Sequence, residues 1–449
     1  MTVRRLLLTI AAAAVTALGS AHSAAALAPL KIGYADDLFL GADADAWLNR
    51  AHNDHATVVR VIMNWSLIAP TRPADPTNPA DPAYHWNIWD QFVLSAHQRG
   101  LTPLLVVIGA PPWAEGPHRD PGAGTGSWRP DAQAYGAFAT AAARRYSGSF
   151  GGLPRVRYWQ AWNEPNLAYA ITPQWDGSTM ESPEIYRGLL NAFYAGVKAA
   201  VPSDLVVAGA TAPYGCAGVC GAIQPMTFWR ALLSKPTYFD IWDHHPYGLA
   251  GGPVSHALNA NDITVPDMGK LGKLIASAVR GGTALPARRK QAWVGEISWD
   301  SSPPDPQGVP LAKQARFLEG TLYLLWRQHV STVAWFQIGD APPNPSYAAT
   351  SQGGTYFLDG RAKPSDKAFR FPFTAYRKRA GVSAAWGMAP KPGAVLVQRR
   401  AHGRWRTIAR TRAGRSRVFL RSVRVPAGTV LRARATGRTS LTWRVGVDG

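Results

Sequence analysis

Two short stretches place a glutamate where acid–base chemistry is possible. In the first, Trp162-Asn163-Glu164-Pro165-Asn166 follows a β-forming run that contains Val156, Tyr158 and Trp159. Pro165 has no amide hydrogen and cannot continue a ladder, so Asn163 and Glu164 are left at the carboxyl end of that run. In the second, Trp293-Val294-Gly295-Glu296-Ile297-Ser298-Trp299 puts Glu296 in the same position after an apolar run. In a parallel α/β architecture that end of a strand is where catalytic side chains collect. Either glutamate alone could be a solvated turn residue. As a pair, one carboxyl can protonate a leaving oxygen while the other attacks or directs the reacting carbon, which is what cleavage of a glycosidic bond requires. The Trp and Tyr side chains around both stretches offer flat faces of the kind a sugar ring packs on.

The elements that must position this pair read as alternating strands and helices, the pattern of a parallel sheet. Strands are expected at 31–34, 57–65, 102–109, 156–161, 205–210, 239–244, 291–295 and 332–337. Helices are expected at 43–53, 86–99, 131–146, 183–201, 225–233, 267–279, 310–329 and 363–369. The clearest is 310–329, where Leu311, Ala315, Leu318, Leu322 and Leu325 form one stripe at spacings of three and four. Eight such units match a (β/α)8 TIM barrel in number and size. After Phe373 the period changes to two: Leu431, Ala433 and Ala435 alternate with Val430, Arg432 and Arg434, and Leu441, Trp443, Val445 and Val447 are expected to share a face. About five short runs separated by Gly, Pro and Ser imply a small antiparallel, sandwich-like β-domain. The expected division is 29–373 for the barrel and 374–449 for the accessory domain.

The Trp162–Asn166 motif and the Glu296 stretch resemble the acid/base and nucleophile motifs of clan A glycoside hydrolases, closest to the xylosidase/iduronidase family and its cellulase-like relatives. The resemblance implies Glu164 as acid/base on the fourth strand and Glu296 as nucleophile on the seventh. It implies substrate contacts from Asn163, from Arg60 on the second strand, from His245 and Tyr247 beyond the sixth (Asp243-His244-His245-Pro246-Tyr247), and from Trp335 on the eighth as the floor of the −1 subsite. His244 alternates to the other face and reads as structural. Trp65, Trp113, Trp128 and Trp299 lie on or near exit loops. The third strand departs from the pattern: Pro111-Pro112-Trp113 lacks the polar residues that xylosidase-type enzymes carry there. No cofactor is implied. A His-His pair without a third ligand at metal spacing gives no metal site. The expected substrate is an oligo- or polysaccharide. A transglycosylase on the same chemistry, or a non-catalytic carbohydrate- or cell-wall-binding protein, would share many of these features, although the latter predicts loss of one carboxylate.

Bulk properties bound the setting. Arg4 and Arg5, an apolar run over 6–18 and small residues over 20–28 have the form of a secretory leader, expected to span 1–28 and to be cut between Ser23 and Ala28. The run is shorter than the roughly 20 residues of a membrane span, so no transmembrane span is expected and the destination is extracellular or cell-wall associated. Two cysteines exclude a disulfide framework. Cys216 and Cys220 allow one local bridge under oxidising conditions, or remain free thiols. From residue 374 onward there are 18 Lys and Arg against one acid, Asp448, so the tail holds +17 of the +20 net charge. That asymmetry suggests an anionic polymer such as a cell-wall polyanion as partner. No aromatic–basic interleaving of a nucleic-acid module is present, so no nucleic-acid partner is expected.

Overall fold

The computed structural model describes residues 27–248 and 251–447; the expected leader falls almost wholly outside them. Eight strands, β1 (Lys31–Ala35), β2 (Val58–Asn64), β3 (Thr102–Ile108), β4 (Tyr158–Ala161), β5 (Leu205–Thr211), β6 (Ile241–His244), β7 (Gln291–Val294) and β8 (Val330–Trp335), pair in sequence order into a closed parallel barrel. Each is followed by a helix that returns over the outside: α1 (Ala44–Asn53), α2 (Asn87–Gln98), α3 (Ala132–Arg145), α4 (Ser182–Ala200), α5 (Pro225–Leu232), α6 (Met268–Arg280), α7 (Leu311–Arg327) and α8 (Pro364–Arg370). Local signals set these helices. The Asp131 side chain caps α3 by accepting from the Ala134 amide. Prolines open α4, α5 and α8 within their first turns, where a missing amide hydrogen costs nothing.

Strand alternation sorts the apolar side chains into two layers. Val58, Leu104, Tyr158, Val207, Ile241 and Trp293, one from each of β2 to β7, fill the barrel axis. The larger layer lies between strands and helices and takes in Ala315, Leu318, Leu322 and Leu325 of α7. The seam between first and last strand is closed by polar groups as well as by the ladder. Asp36, just past β1, accepts from the amides of Ile338 and Gly339 beyond β8 at 3.0 and 3.2 Å. Burial pushes its carboxyl up to about 7, even with these amides and that of Leu38 favouring the anion.

The C-terminal part holds six longer strands: β9 (Phe373–Arg379), β10 (Val382–Met388), β11 (Gly393–Ala401), β12 (Arg404–Ala413), β13 (Val418–Arg424) and β14 (Val430–Ala435). They form two antiparallel sheets, β9–β10–β13 and β12–β11–β14, with short pieces of 438–439 and 443–444 beside β14. Phe373, Phe419, Val395, Val397, Leu431 and Trp443 pack between them. The expected face shared by Leu441, Trp443, Val445 and Val447 is not continuous. Trp443 and Val445 are buried and Leu441 packs partly buried against the core, but Gly446 turns at φ +71° and Val447 is exposed. This part does not hang free of the barrel. Trp386 of β10 packs on Tyr323 and Trp326 of α7 at 5.6 and 5.8 Å, Tyr376 of β9 stacks on Tyr323 at 5.0 Å, and the Phe373 amide donates to Glu319. Cys216 and Cys220 are disulfide-bonded.

Candidate active site

At the carboxyl end of the barrel, the sharp turn after β4 holds Glu164. Trp162 and Glu164 both take positive φ, +66° and +44°, a strained backbone that persists only where its surroundings impose it. They do so here. The Glu164 amide donates to the Ala210 carbonyl of β5 at 2.8 Å. Asn166 is fully buried, accepts from the Ala212 amide and donates to the carbonyls of Ala212 and Ile223. Gln174 donates to the Pro165 carbonyl. The second half of the motif Asn163-Glu164-Pro165-Asn166 is thus the clamp that fixes the first half.

Arg60 on β2, 3% exposed, is the hub opposite. Its Nε donates to Gln160 Oε1 at 3.2 Å, Nη2 to Asn163 Oδ1 at 2.6 Å and Nη1 to Glu296 Oε1 at 2.7 Å. One planar guanidinium therefore ties β2, β4 and the end of β7 together. The other Glu296 oxygen accepts from Tyr247 Oη at 3.0 Å. His245, wholly buried, stands between the two glutamates: Nδ1 is 3.0 Å from Glu164 Oε1 and 3.7 Å from Glu296 Oε2. Burial disfavours charge on this imidazole, but Glu296 and Glu164 outweigh it and raise its pKa. Burial likewise pushes Glu164 up, and the His245 contacts, with a hydrogen bond from the Tyr169 hydroxyl to Oε2, outweigh it and hold the carboxyl below its usual value.

The structure thus brings together Arg60, Asn163, Glu164, His245, Tyr247 and Glu296. His244 stays apart: its ring contacts Thr211 Oγ1 and the Ile263 carbonyl, and burial pushes it down to about 3. Trp335 is a correction. It is 1% exposed, donates from Nε1 to the Gly353 carbonyl and belongs to the layer between strands and helices, so it offers no face to a ligand in the cleft. Alternation puts its half-buried neighbour Phe336 on the axial side. Trp65 and Trp299 are likewise buried packing residues.

Sequence reading passed over two residues. Asp243, wholly buried beneath the site, accepts from the Gly295 amide at 2.6 Å through Oδ1 and so sets the backbone that carries Glu296. A Cβ at Gly295 would lie 2.2 Å from Asp243 Oδ2, which explains glycine immediately before Glu296. Burial pushes the Asp243 carboxyl up against the pull of His245 and Arg60. Its acidic type on a barrel strand was a signal available in the Asp243-His244-His245 run. Tyr169, 61% exposed, lies in a loop whose sequence carries no such signal. Among the described residues no cluster of three or more His, Cys, Asp or Glu could hold a metal ion, and no helix is long and apolar enough to cross a membrane.

No family model matches the sequence, and no curated relative aligns with it. Solved structures do share its architecture. A family 39 glycoside hydrolase from the gut symbiont Bacteroides cellulosilyticus superposes with a TM-score of 0.59 at 17% identity, covering 89% of this chain and 81% of that one. The GH39 enzyme from Xanthomonas axonopodis pv. citri gives 0.55 at 14% identity over 90% and 94%. GH5_18 from Streptomyces cattleya gives 0.51 at 18% identity over 77% and 80%. At these identities the likeness is one of fold: a (β/α)8 barrel, followed in this chain by an antiparallel β-domain.

Proposed function

We propose that this chain is a secreted retaining β-glycoside hydrolase acting on an oligo- or polysaccharide, with Glu164 as acid/base and Glu296 as nucleophile. One observation carries the reading: a single His245 nitrogen lies 3.0 Å from one carboxylate and 3.7 Å from the other. Two such legs span the roughly 5–5.5 Å of a retaining pair and reach only the bottom of the roughly 6.5–9.5 Å of an inverting pair, which must leave room for water. Glu296 has both oxygens engaged, by Arg60 and Tyr247, and is held for in-line attack. Glu164 has one oxygen on buried His245 and the other on Tyr169, a movable surface side chain.

The free site keeps Glu164 ready to act as a base. A leaving-group oxygen that displaces the Tyr169 hydroxyl removes one of the contacts that lower the pKa. Burial, which raises it, then weighs more heavily and favours the protonated acid that the first step needs. Asn163, held by Arg60, is positioned to meet the sugar hydroxyl beside the anomeric carbon. The test is hydrolysis of a panel of aryl β-glycosides and plant or microbial polysaccharides by wild type and by Glu296→Ala. Turnover by wild type alone supports the reading. Equal rates from both proteins overturn it. The basic C-terminal part is proposed to hold the enzyme on an anionic polymer.

A further inference from the structure

The C-terminal charge is not spread evenly over both sheets of the β-domain. Strand pairing places Leu396 of β11 between Arg410 of β12 and Arg434 of β14, Gln398 between Thr407 and Arg432, Ala394 beside Arg412, and Arg400 beside Trp405. Residues directly opposite in a ladder share a face. The intervening Val395, Val397, Leu431 and Ala433 are buried in the sandwich core, so this face points outward. It carries Arg400, Arg410, Arg412, Arg432 and Arg434, and none of them has an ion-pair partner among the described residues. The sequence after Phe373 contains no acidic residue before Asp448.

Alternate residues on one strand lie roughly 6.6–6.8 Å apart, and positions two strands apart roughly 9.5 Å. These like charges therefore repel within about one Debye length at physiological salt, roughly 8 Å. Repulsion on an open, flat lattice is relieved by an extended anion that runs across it, and arginine forks suit carboxylate, sulfate or phosphate groups.

We propose that the outward face of the β12–β11–β14 sheet is a docking surface for a linear acidic polysaccharide. A small ligand would need a concavity, whereas Arg432 lies across this face, its Nε donating to Gln398 Oε1 at 2.9 Å. A nucleic-acid strand would need aromatic platforms. Trp405 is the only aromatic in the paired rows, and Arg432 already covers one side of its ring at 4.1 Å. A membrane would need a row of apolar anchors, and Leu396 alone supplies that here. The choice of a polysaccharide among polyanions rests on the glycosidase reading of the barrel. The test reads binding and not turnover, so the two stand or fall separately.

The full chain is titrated against polygalacturonate as probe, with a single-stranded oligonucleotide and phosphatidylglycerol vesicles as competing occupants. Binding to polygalacturonate should be strongest at low salt and weaken as salt rises. The triple variant Arg410→Gln, Arg412→Gln, Arg434→Gln should lose about tenfold in affinity, the sum of a few exposed charge contacts. The charge-matched variant Lys378→Gln, Arg379→Gln, Arg424→Gln, on the other sheet, should stay within about twofold of wild type. If the triple variant does not fold, Arg434→Glu alone, at an exposed position, should show a several-fold loss. Equal losses in the two matched triple variants would overturn the assignment to this face. Tighter binding of the oligonucleotide or the vesicles, or no binding of polygalacturonate at low salt, would overturn the partner.

Discussion

Arg60 Nη1 lies 2.7 Å from Glu296 Oε1, so a side chain from the second strand fixes the orientation of a carboxylate at the end of the seventh. The same guanidinium reaches Gln160 and Asn163. A lysine cannot reproduce that three-pronged geometry. Arg60→Lys is expected to lower kcat/KM by roughly 10²–10³, the range seen when one preorganised group of an active site is lost. Arg60→Met, which takes the guanidinium from Glu296 and leaves it only Tyr247 and His245, should also destabilise the fold by about 3 kcal/mol. Kinetics and thermal denaturation check both. Wild-type kcat/KM in Arg60→Lys would remove Arg60 from the site's machinery.

Tyr169→Phe tests how the acid is tuned. The Tyr169 hydroxyl donates to Glu164 and is one of the groups that hold its carboxyl low. Without it the Glu164–His245 pair keeps its proton to higher pH. The alkaline limb of kcat/KM should therefore move up, while stability is unchanged because the ring is largely exposed. A limb that stays put or moves down would contradict this role.

The fold was legible because each barrel unit repeats the same local grammar, an apolar run, a turn and an amphipathic helix. Glu164 stood out because Pro165 ends its run, and Glu296 because it closes a second apolar run as the partner carboxylate. Trp335 was misread for a physical reason. Strands of a parallel barrel are buried on both faces, so Val333, Ala334 and Trp335 look alike, and alternation does not say which one faces the axis. Asp243 and Tyr169 act through three-dimensional neighbours, Gly295 and Glu164, that are distant in the chain or in an irregular loop. The period-two reading of 429–435 matched the buried set Leu431, Ala433 and Ala435. That of 441–447 held for Leu441, Trp443 and Val445 and stopped at Gly446, where the chain turns and leaves Val447 exposed.

The residues proposed for chemistry all precede Gln337, which taken alone would let a chain ending near Phe373 keep a working barrel. The packing predicts otherwise. Ala384, Trp386, Met388 and Val418 are part of the apolar cluster that covers α7. Removing them bares Tyr323 and Trp326, at about 25 cal/mol for each Å² of apolar surface exposed. The truncated protein is expected to aggregate or melt well below the full chain by differential scanning calorimetry. A soluble, active barrel with an unchanged Tm would show the interface to be dispensable.

Azide separates the two glutamates. Glu164→Ala should lose nearly all activity on poor leaving groups and be rescued by azide on activated aryl glycosides, giving a β-glycosyl azide. Glu296→Ala should give the α-azide. Identical products from both variants would mean the roles are wrongly assigned.

The central claim is that Glu164 and Glu296, joined through His245, carry out a double displacement. Proton NMR of the first-formed product from a β-glycoside reads this directly, before mutarotation scrambles the anomers. The expected product is the β-anomer, with configuration retained. An α-anomer would show single displacement by water and contradict the assignment of Glu296 as nucleophile.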